Sequence, residues 1–213
     1  MASCQPITLP RTIERVSSSQ SRPAPRLRYA AYMTGLRHFR MGAGVVIRGE
    51  GERVLLVEPT YKENWEIPGG VVEADEAPWA TAEREVREEL GLEFRVQQPL
   101  LIDHLTTDVQ LDEGMASLLA SGRLTEDEAA VLRAERALSA VMWLFDGGTL
   151  SDSEVDALRL PAAELRSVRL CTMDEVRDRV NAGMWRRLTL ALEAARGGTG
   201  PVLCADGVPR ARS

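Results

Sequence analysis

The chain has 213 residues, 44% of them hydrophobic and 27% charged, enough for one well-cored domain with extra pieces and too few for two comfortable ones. No run of about 18 apolar residues occurs, and the N-terminus lacks the apolar core of a secretory signal, so a soluble, cytoplasmic protein without a membrane partner is expected. The net charge of −6 is uneven: residues 1–40 carry seven Arg and one Glu, a local +6 that leaves −12 for the rest.

That basic segment is rich in Ser, Pro and Arg. Its few aromatics argue for a solubilising extension more than a specific nucleic-acid surface, and a transit peptide is a lesser alternative. Residues 1–25 show no periodicity and are expected to be partly disordered. Residues 27–39, LRYAAYMTGLRHF, could make a short helix. Cys4, Cys171 and Cys204 are odd in number and widely spaced, which fits structural thiols in a reducing compartment and disfavours zinc or a disulfide framework. His38 and His104 show no ligand spacing.

The domain proper is expected to start near Met41. AGVVIR and RVLLVE flank GEGE, a hairpin signal. The polar stretch TYKENW follows, and IPGGVV breaks the backbone at Pro68-Gly69-Gly70. From Ala77 to Leu90 the pattern turns helical: Pro78 suits the first turn, Trp79, Ala82, Val86 and Leu90 form an apolar stripe, and Gly91 closes the helix. LEFRVQQPLLIDHL reads as strand, turn at Pro99, and strand. A helical insertion spans about 106–139, with Thr125 and Glu128 spaced as a capping box; its Met115, Leu118, Leu119, Val131, Leu132 and Leu138 need a partner surface, either in cis or in a homodimer. VMWLFDGG returns to strand, and Pro161 to Leu170 leads to another. Helices are expected near Thr172 to Asn181 and Met184 to Ala195. The tail, residues 200–213, gives no structural signal. The organisation is thus a basic N-terminal extension (1–40), a domain (41–199) and a tail.

The helix after Pro78 crowds Glu83, Glu85, Glu88 and Glu89 into seven residues. Glu85, Glu88 and Glu89, at i, i+3 and i+4, share one face and repel one another; Arg84, at i, i+4 to Glu88, blunts this only in part. A solvated surface face is the ordinary explanation of such a run. Three hard carboxylates on one rigid face also suit Mg²⁺ or Mn²⁺, which keep several waters and bind phosphate oxygens at the same time.

The spacing decides between these. Gly70, five residues, Glu76, seven residues, Arg84-Glu85-Val86, one residue, Glu88-Glu89, one residue, Gly91-Leu92 resembles, without a gap, the box that defines the Nudix hydrolase family. The resemblance implies an α/β/α sandwich with a mixed sheet and metal-dependent hydrolysis of a small-molecule diphosphate: a nucleoside diphosphate linked to another moiety, or a nucleoside triphosphate. It also implies Glu85, Glu88, Glu89 and the Gly69 carbonyl as metal ligands, Glu85 as a possible base, and Arg84 with Glu76 as the pair that orients the helix. Glu164, with Glu154 second, is the candidate for a further catalytic carboxylate from outside the box. Tyr61, Trp65 and Gly70 are candidate substrate contacts, though packing explains Trp65 equally well. Arg186 and Arg187 could reach phosphate but read more readily as solvated surface.

Thr107 stands where the family's ADP-ribose marker would place a proline, and the NADH-cleavage run is absent. A nucleotide-sensing regulatory module and a prenyl diphosphate hydrolase are the competing readings.

Overall fold

The computed structural model describes residues 32, 36, 38–135, 138–161, 163–198 and 200–211. The expectations for residues 1–25, most of the helix suggested over 27–39, and Cys4 fall outside them.

The expected hairpin forms: β1 (Arg40–Gly49) and β2 (Arg53–Pro59) are antiparallel across a single 3-10 turn, Glu50–Glu52. Next come β3 (Gly69–Val71), α1 (Pro78–Leu90) and β4 (Pro99–Leu105). The insertion contains α2 (Thr107–Val109), a π-helical turn (Gln110–Gly114), α3 (Ala116–Ala120) and α4 (Glu126–Glu135). Then follow β5 (Ala140–Thr149), α5 (Asp152–Asp156), β6 (Leu165–Cys171), α6 (Met173–Arg179) and α7 (Ala182–Gly197). The chain closes with β7 (Val202–Ala205) and β8 (Val208–Pro209).

All eight strands join one mixed sheet in the order β6-β2-β1-β5-β4-β7-β8, with β3 also on β1. β1 and β5 run parallel at its centre, and both of their faces are covered, so they read as continuous apolar runs. Val45 and Ile47 of β1, with Leu55 and Val57 of β2, meet Ala82, Val86 and Leu90 of α1 on one face. Val46, Val54 and Leu56 point the other way, to Val176, Leu188 and Ala191 of α6 and α7. Strand alternation thus feeds two cores, which gives the expected three-layer α/β/α sandwich.

Several expectations change in detail. Trp79 is 58% exposed, while Thr81 is fully buried: the first turn of α1 projects past the apolar cover, and the inward position there is taken by a hydroxyl that donates to Glu76 at 2.7 Å. Residues 91–98 form no strand, and Pro99 begins β4 instead of making a turn; a proline is tolerated at the first residue of a strand because no ladder donor is lost there. Glu83 fastens this segment, accepting from Arg95 at 3.0 Å and from the Val96 amide at 3.2 Å.

The tail forms β7, which runs parallel to β4, and β8 folds back on it. Short β-runs without strong alternation give little signal in sequence, and these are held by tertiary pairing. The insertion covers its own apolar residues in part: Leu111, Ala129 and Leu138 form a small core with Met115, Leu119, Leu124 and Leu132, while Val131 stays exposed. The Thr125–Glu128 capping box is present. Among the described residues no helix is long and apolar enough to cross a membrane.

Candidate active site

β1 is the strand on which the site is organised. Near its C-terminal end it pairs with β2 at Arg48 and Gly49, whereas Gly42, Ala43 and Gly44 pair with Val71, Gly70 and Gly69 of β3. The Pro-Gly-Gly run therefore does more than break the chain: its glycines are strand residues packed against a backbone. A side chain at Gly69 would place its Cβ 2.4 Å from the Ala43 carbonyl oxygen, and φ there is +154°. At Gly70 the Cβ would stand 2.1 Å from Glu85 Oε1. These positions are bare so that β1 can approach on one side and the Glu85 carboxylate on the other.

α1 carries the carboxylates. Pro78 lies in its first turn and Gly91, left-handed at φ +68°, caps its end with an amide that donates to the Arg87 carbonyl. Its buried residues, Thr81, Ala82, Val86 and Leu90, fix its rotation and so turn the glutamate face towards β3.

Arg84 organises that face. Its Nε and Nη2 donate to the two Glu76 oxygens at 2.9 and 3.0 Å, and Nη1 donates to Glu85 Oε1 at 2.8 Å and Glu88 Oε2 at 3.1 Å. The guanidinium, with Thr81 second, holds the Glu76 carboxyl down at about 2, and the same bonds raise the Arg84 pKa. One arginine thus answers three carboxylates, as the pairing of Arg84 with Glu76 and Glu88 in the sequence suggested.

Glu89 is not among them. Its Oε2 accepts from the Gly69 amide at 3.1 Å. Burial pushes its carboxyl up to about 8; the Gly69 bond opposes this, and the charges of Glu85, Glu66 and Glu164 add to it. Three further carboxylates therefore bear on Glu89 here. Among the described residues no three His, Cys, Asp or Glu side chains converge on a common point that could hold a metal ion, because Arg84 draws Glu85 and Glu88 to itself.

Glu164 is exposed, its carbonyl accepting from the Thr60 amide at 2.8 Å, and its charge reaches Glu89. Glu154, the second candidate, is instead the capping-box acid of α5, bonded to Ser151. Its surroundings explain it without any part in the site. Glu66, unnoticed in the sequence, is the fourth acid. Its place between Trp65 and the Pro-Gly-Gly run was the available signal.

The cleft beside these groups, about 300 Å³, is lined by Gly44, Gly69, Gly70 and Met142, with Tyr61 and Glu66 at its side. Tyr61 is 69% exposed. Lys62 pairs with Glu66 and lies 5.2 Å from the Tyr61 ring centroid. A wider groove runs from Tyr61 and Lys62 to Leu118, Ser121 and Arg123 of the insertion. Trp65 faces differently: it packs against the core of α6 and α7, with the Arg179 guanidinium 5.4 Å from its ring, which is the packing alternative. Arg187 is the clearest departure. It is only 6% exposed, and its Nε donates to buried Asp103 at 2.8 Å.

Comparison with known proteins agrees with the box. The NUDIX domain family matches residues 38–190. A MutT-like protein of Streptomyces ambofaciens is 34% identical over 119 residues, covering 55% of this chain and 71% of that protein. An RNA pyrophosphohydrolase of Halorhodospira halophila is 39% identical over 54 residues, covering 25% of this chain and only 30% of that protein. Among solved structures, a NUDIX hydrolase from Nitrosomonas europaea superposes with a TM-score of 0.52 at 17% identity, covering 80% of each chain, a likeness of fold. The family match spans most of the sandwich and all of the glutamate helix, and on it the chain belongs to the Nudix hydrolases, a family acting on diphosphate-linked substrates.

Proposed function

We propose that the chain is a divalent-cation-dependent diphosphatase, cleaving a nucleoside diphosphate linked to another group or a nucleoside triphosphate. The observation that carries this reading is the glutamate face of α1, where Glu85 and Glu88 meet Arg84 and Glu89 accepts from the Gly69 amide at 3.1 Å, its charged form disfavoured by burial and by three neighbouring acids. Such a site is electrostatically incomplete, and a hard cation is the group that completes it. The donors are all oxygen, which suits Mg²⁺ or Mn²⁺.

On this reading Glu85, Glu88, Glu89 and the Gly69 carbonyl hold the cation. When bound, it would neutralise diphosphate charge and acidify a water. The chain's own residues do the rest. Arg84, clamped by Glu76, restrains Glu85 and Glu88 on the face of α1. Glu85 or Glu164 takes the proton of the attacking water. Gly70, bare of a side chain, lets the Glu85 carboxylate lie against β3 at the edge of the substrate, Tyr61 covers the substrate, and Trp65 supports the wall behind it. Cys171 and Cys204 are buried free thiols raised by burial, which fits a reducing compartment such as the cytoplasm.

The test is a screen with Mg²⁺ or Mn²⁺ against nucleoside triphosphates, ADP-ribose, NADH, nucleotide sugars, CoA and prenyl diphosphates, with products identified by mass. Turnover that needs the metal and disappears in the Glu88→Gln/Glu89→Gln double variant is expected. No turnover on any of them with either metal refutes the reading.

A further inference from the structure

The groove between the Tyr61–Lys62 segment and the insertion has a volume of about 760 Å³, and Tyr61 and Lys62 line both it and the cleft. A substrate whose diphosphate lies at the glutamate face can therefore continue past these two side chains. The groove is within the range of roughly 300–1,000 Å³ that holds small molecules, so a whole sugar or nucleoside fits.

Its far side belongs to the insertion. Leu119 and Leu124 pack into the insertion's small core. Between them the chain turns at Gly122, left-handed at φ +70°, where a residue without a Cβ is favoured. The amides of Gly122 and Arg123 donate to the Leu119 and Leu118 carbonyls at 3.1 and 2.9 Å. The turn is thus tied down on both sides, and it presents Leu118, Ser121 and Arg123 to the groove.

Charge sets Arg123 apart. It is the one basic residue in the stretch 105–132, which holds six acids. Arg133, the next along the chain, is engaged with Asp108 and Asp112. The Arg123 guanidinium makes no ion pair or hydrogen bond among the described residues. On the other side Lys62 is answered by Glu66, and Glu63 is the one acid in the lining. A hydrocarbon chain would use only Leu118 and the Tyr61 ring, and a neutral sugar would leave the guanidinium unanswered. A group with a negative charge of its own uses all three.

We infer that this groove holds the group attached beyond the substrate's diphosphate, and that Arg123 selects a group carrying its own phosphate or carboxylate. The inserted segment is on this account a specificity element. The inference rests on the diphosphatase reading, but its test does not use turnover. Dissociation constants are measured by calorimetry in EDTA, on the parent protein and on Glu88→Gln/Glu89→Gln, which removes two charges from beside the diphosphate. The ligands are matched pairs: UDP-glucose with UDP-glucuronate and GDP-mannose with GDP-mannuronate, which differ by a carboxylate, and ADP-ribose with ADP-ribose 2″-phosphate, which differs by a phosphate.

In at least one pair the charged member is expected to bind about fivefold tighter, the upper end for an ion pair open to solvent. Arg123→Gln, at an exposed position where the fold should survive, is expected to abolish that preference, and Arg123→Glu to reverse it, with the neutral member binding alike in all three proteins. Thermal melts confirm that the variants are folded. No preference in any pair, a preference that survives Arg123→Gln, or an equal loss for both members overturns the assignment. An Arg123-dependent preference without turnover of any diphosphate would overturn the hydrolase reading alone, and turnover without that preference would overturn this one alone.

Discussion

Arg84 and Glu76 meet through two parallel hydrogen bonds of 2.9 and 3.0 Å, both side chains about one-fifth exposed. The fork fixes the plane of the guanidinium, and its remaining Nη1 then dictates where Glu85 and Glu88 lie. Glu76→Gln removes the carboxylate's charge and one of the two acceptors, leaving Arg84 free to bind Glu85 and Glu88 more tightly. The expected result is a folded protein whose kcat falls roughly 10- to 100-fold, the usual cost of losing a group that orients ligands. Arg84→Lys should behave alike, since a lysine cannot make the fork. Steady-state kinetics on the substrate found by the screen measure both.

The two box glycines separate stability from activity. At Gly70 the atom that a methyl would strike is the far end of a flexible Glu85 side chain, which can move; at Gly69 it is the Ala43 carbonyl and the Gly44 Cα, which cannot. Gly70→Ala should therefore melt close to the parent while losing activity on the order of 100-fold, because Glu85 is displaced. Gly69→Ala should lose about 1–3 kcal/mol or more of stability. Thermal melts and kinetics on the two variants check the contrast, and the opposite ranking would refute it.

Much of this was legible in sequence because the box is local. Arg84 reaches Glu88 one turn away, Pro78 and Gly91 mark the ends of the helix, and Val86 and Leu90 set its inward face, all relations that helical spacing determines. Trp79 misled because periodicity does not reveal where the covering sheet stops. Asp103 and Arg187 were not legible as a pair. They are brought together only by the packing of α7 on β4, and a lone arginine on a helix carries no sign of the buried acid awaiting it. The tail was missed for the same reason: β7 exists because β4 offers it an edge.

That tail has a measurable role. Asp103 is fully buried, and its carboxylate is paired with the Arg187 guanidinium and accepts from the Gly207 amide. Asp103→Ala leaves the guanidinium buried without its partner and should cost about 3–5 kcal/mol in chemical denaturation. Truncation after Gly200 removes Gly207, exposes the edge of β4, and should also lower the midpoint. An unchanged midpoint in the truncated protein would show that the hairpin contributes nothing to the fold.

Glu89 gives the pH dependence. Its folded-state pKa lies near 8, against 4.5 for the ordinary glutamate, so between these values the folded protein holds a proton that the unfolded chain has released. Stability from this group is present below about 4.5 and is lost as pH rises towards 8, at up to about 1.4 kcal/mol per pH unit. Glu76 acts in the opposite sense: lowered to about 2, it contributes above 4.5 and fails as pH falls. In EDTA the melting temperature should therefore decline from pH 5 to pH 8 and flatten above it, and Glu89→Gln should remove most of the slope. Mg²⁺ or Mn²⁺, which favours the ionised carboxylate, should raise the melting temperature more at pH 8 than at pH 5. A slope unchanged in Glu89→Gln would place the titrating group elsewhere, and an equal metal effect at both pH values would separate Glu89 from the cation site.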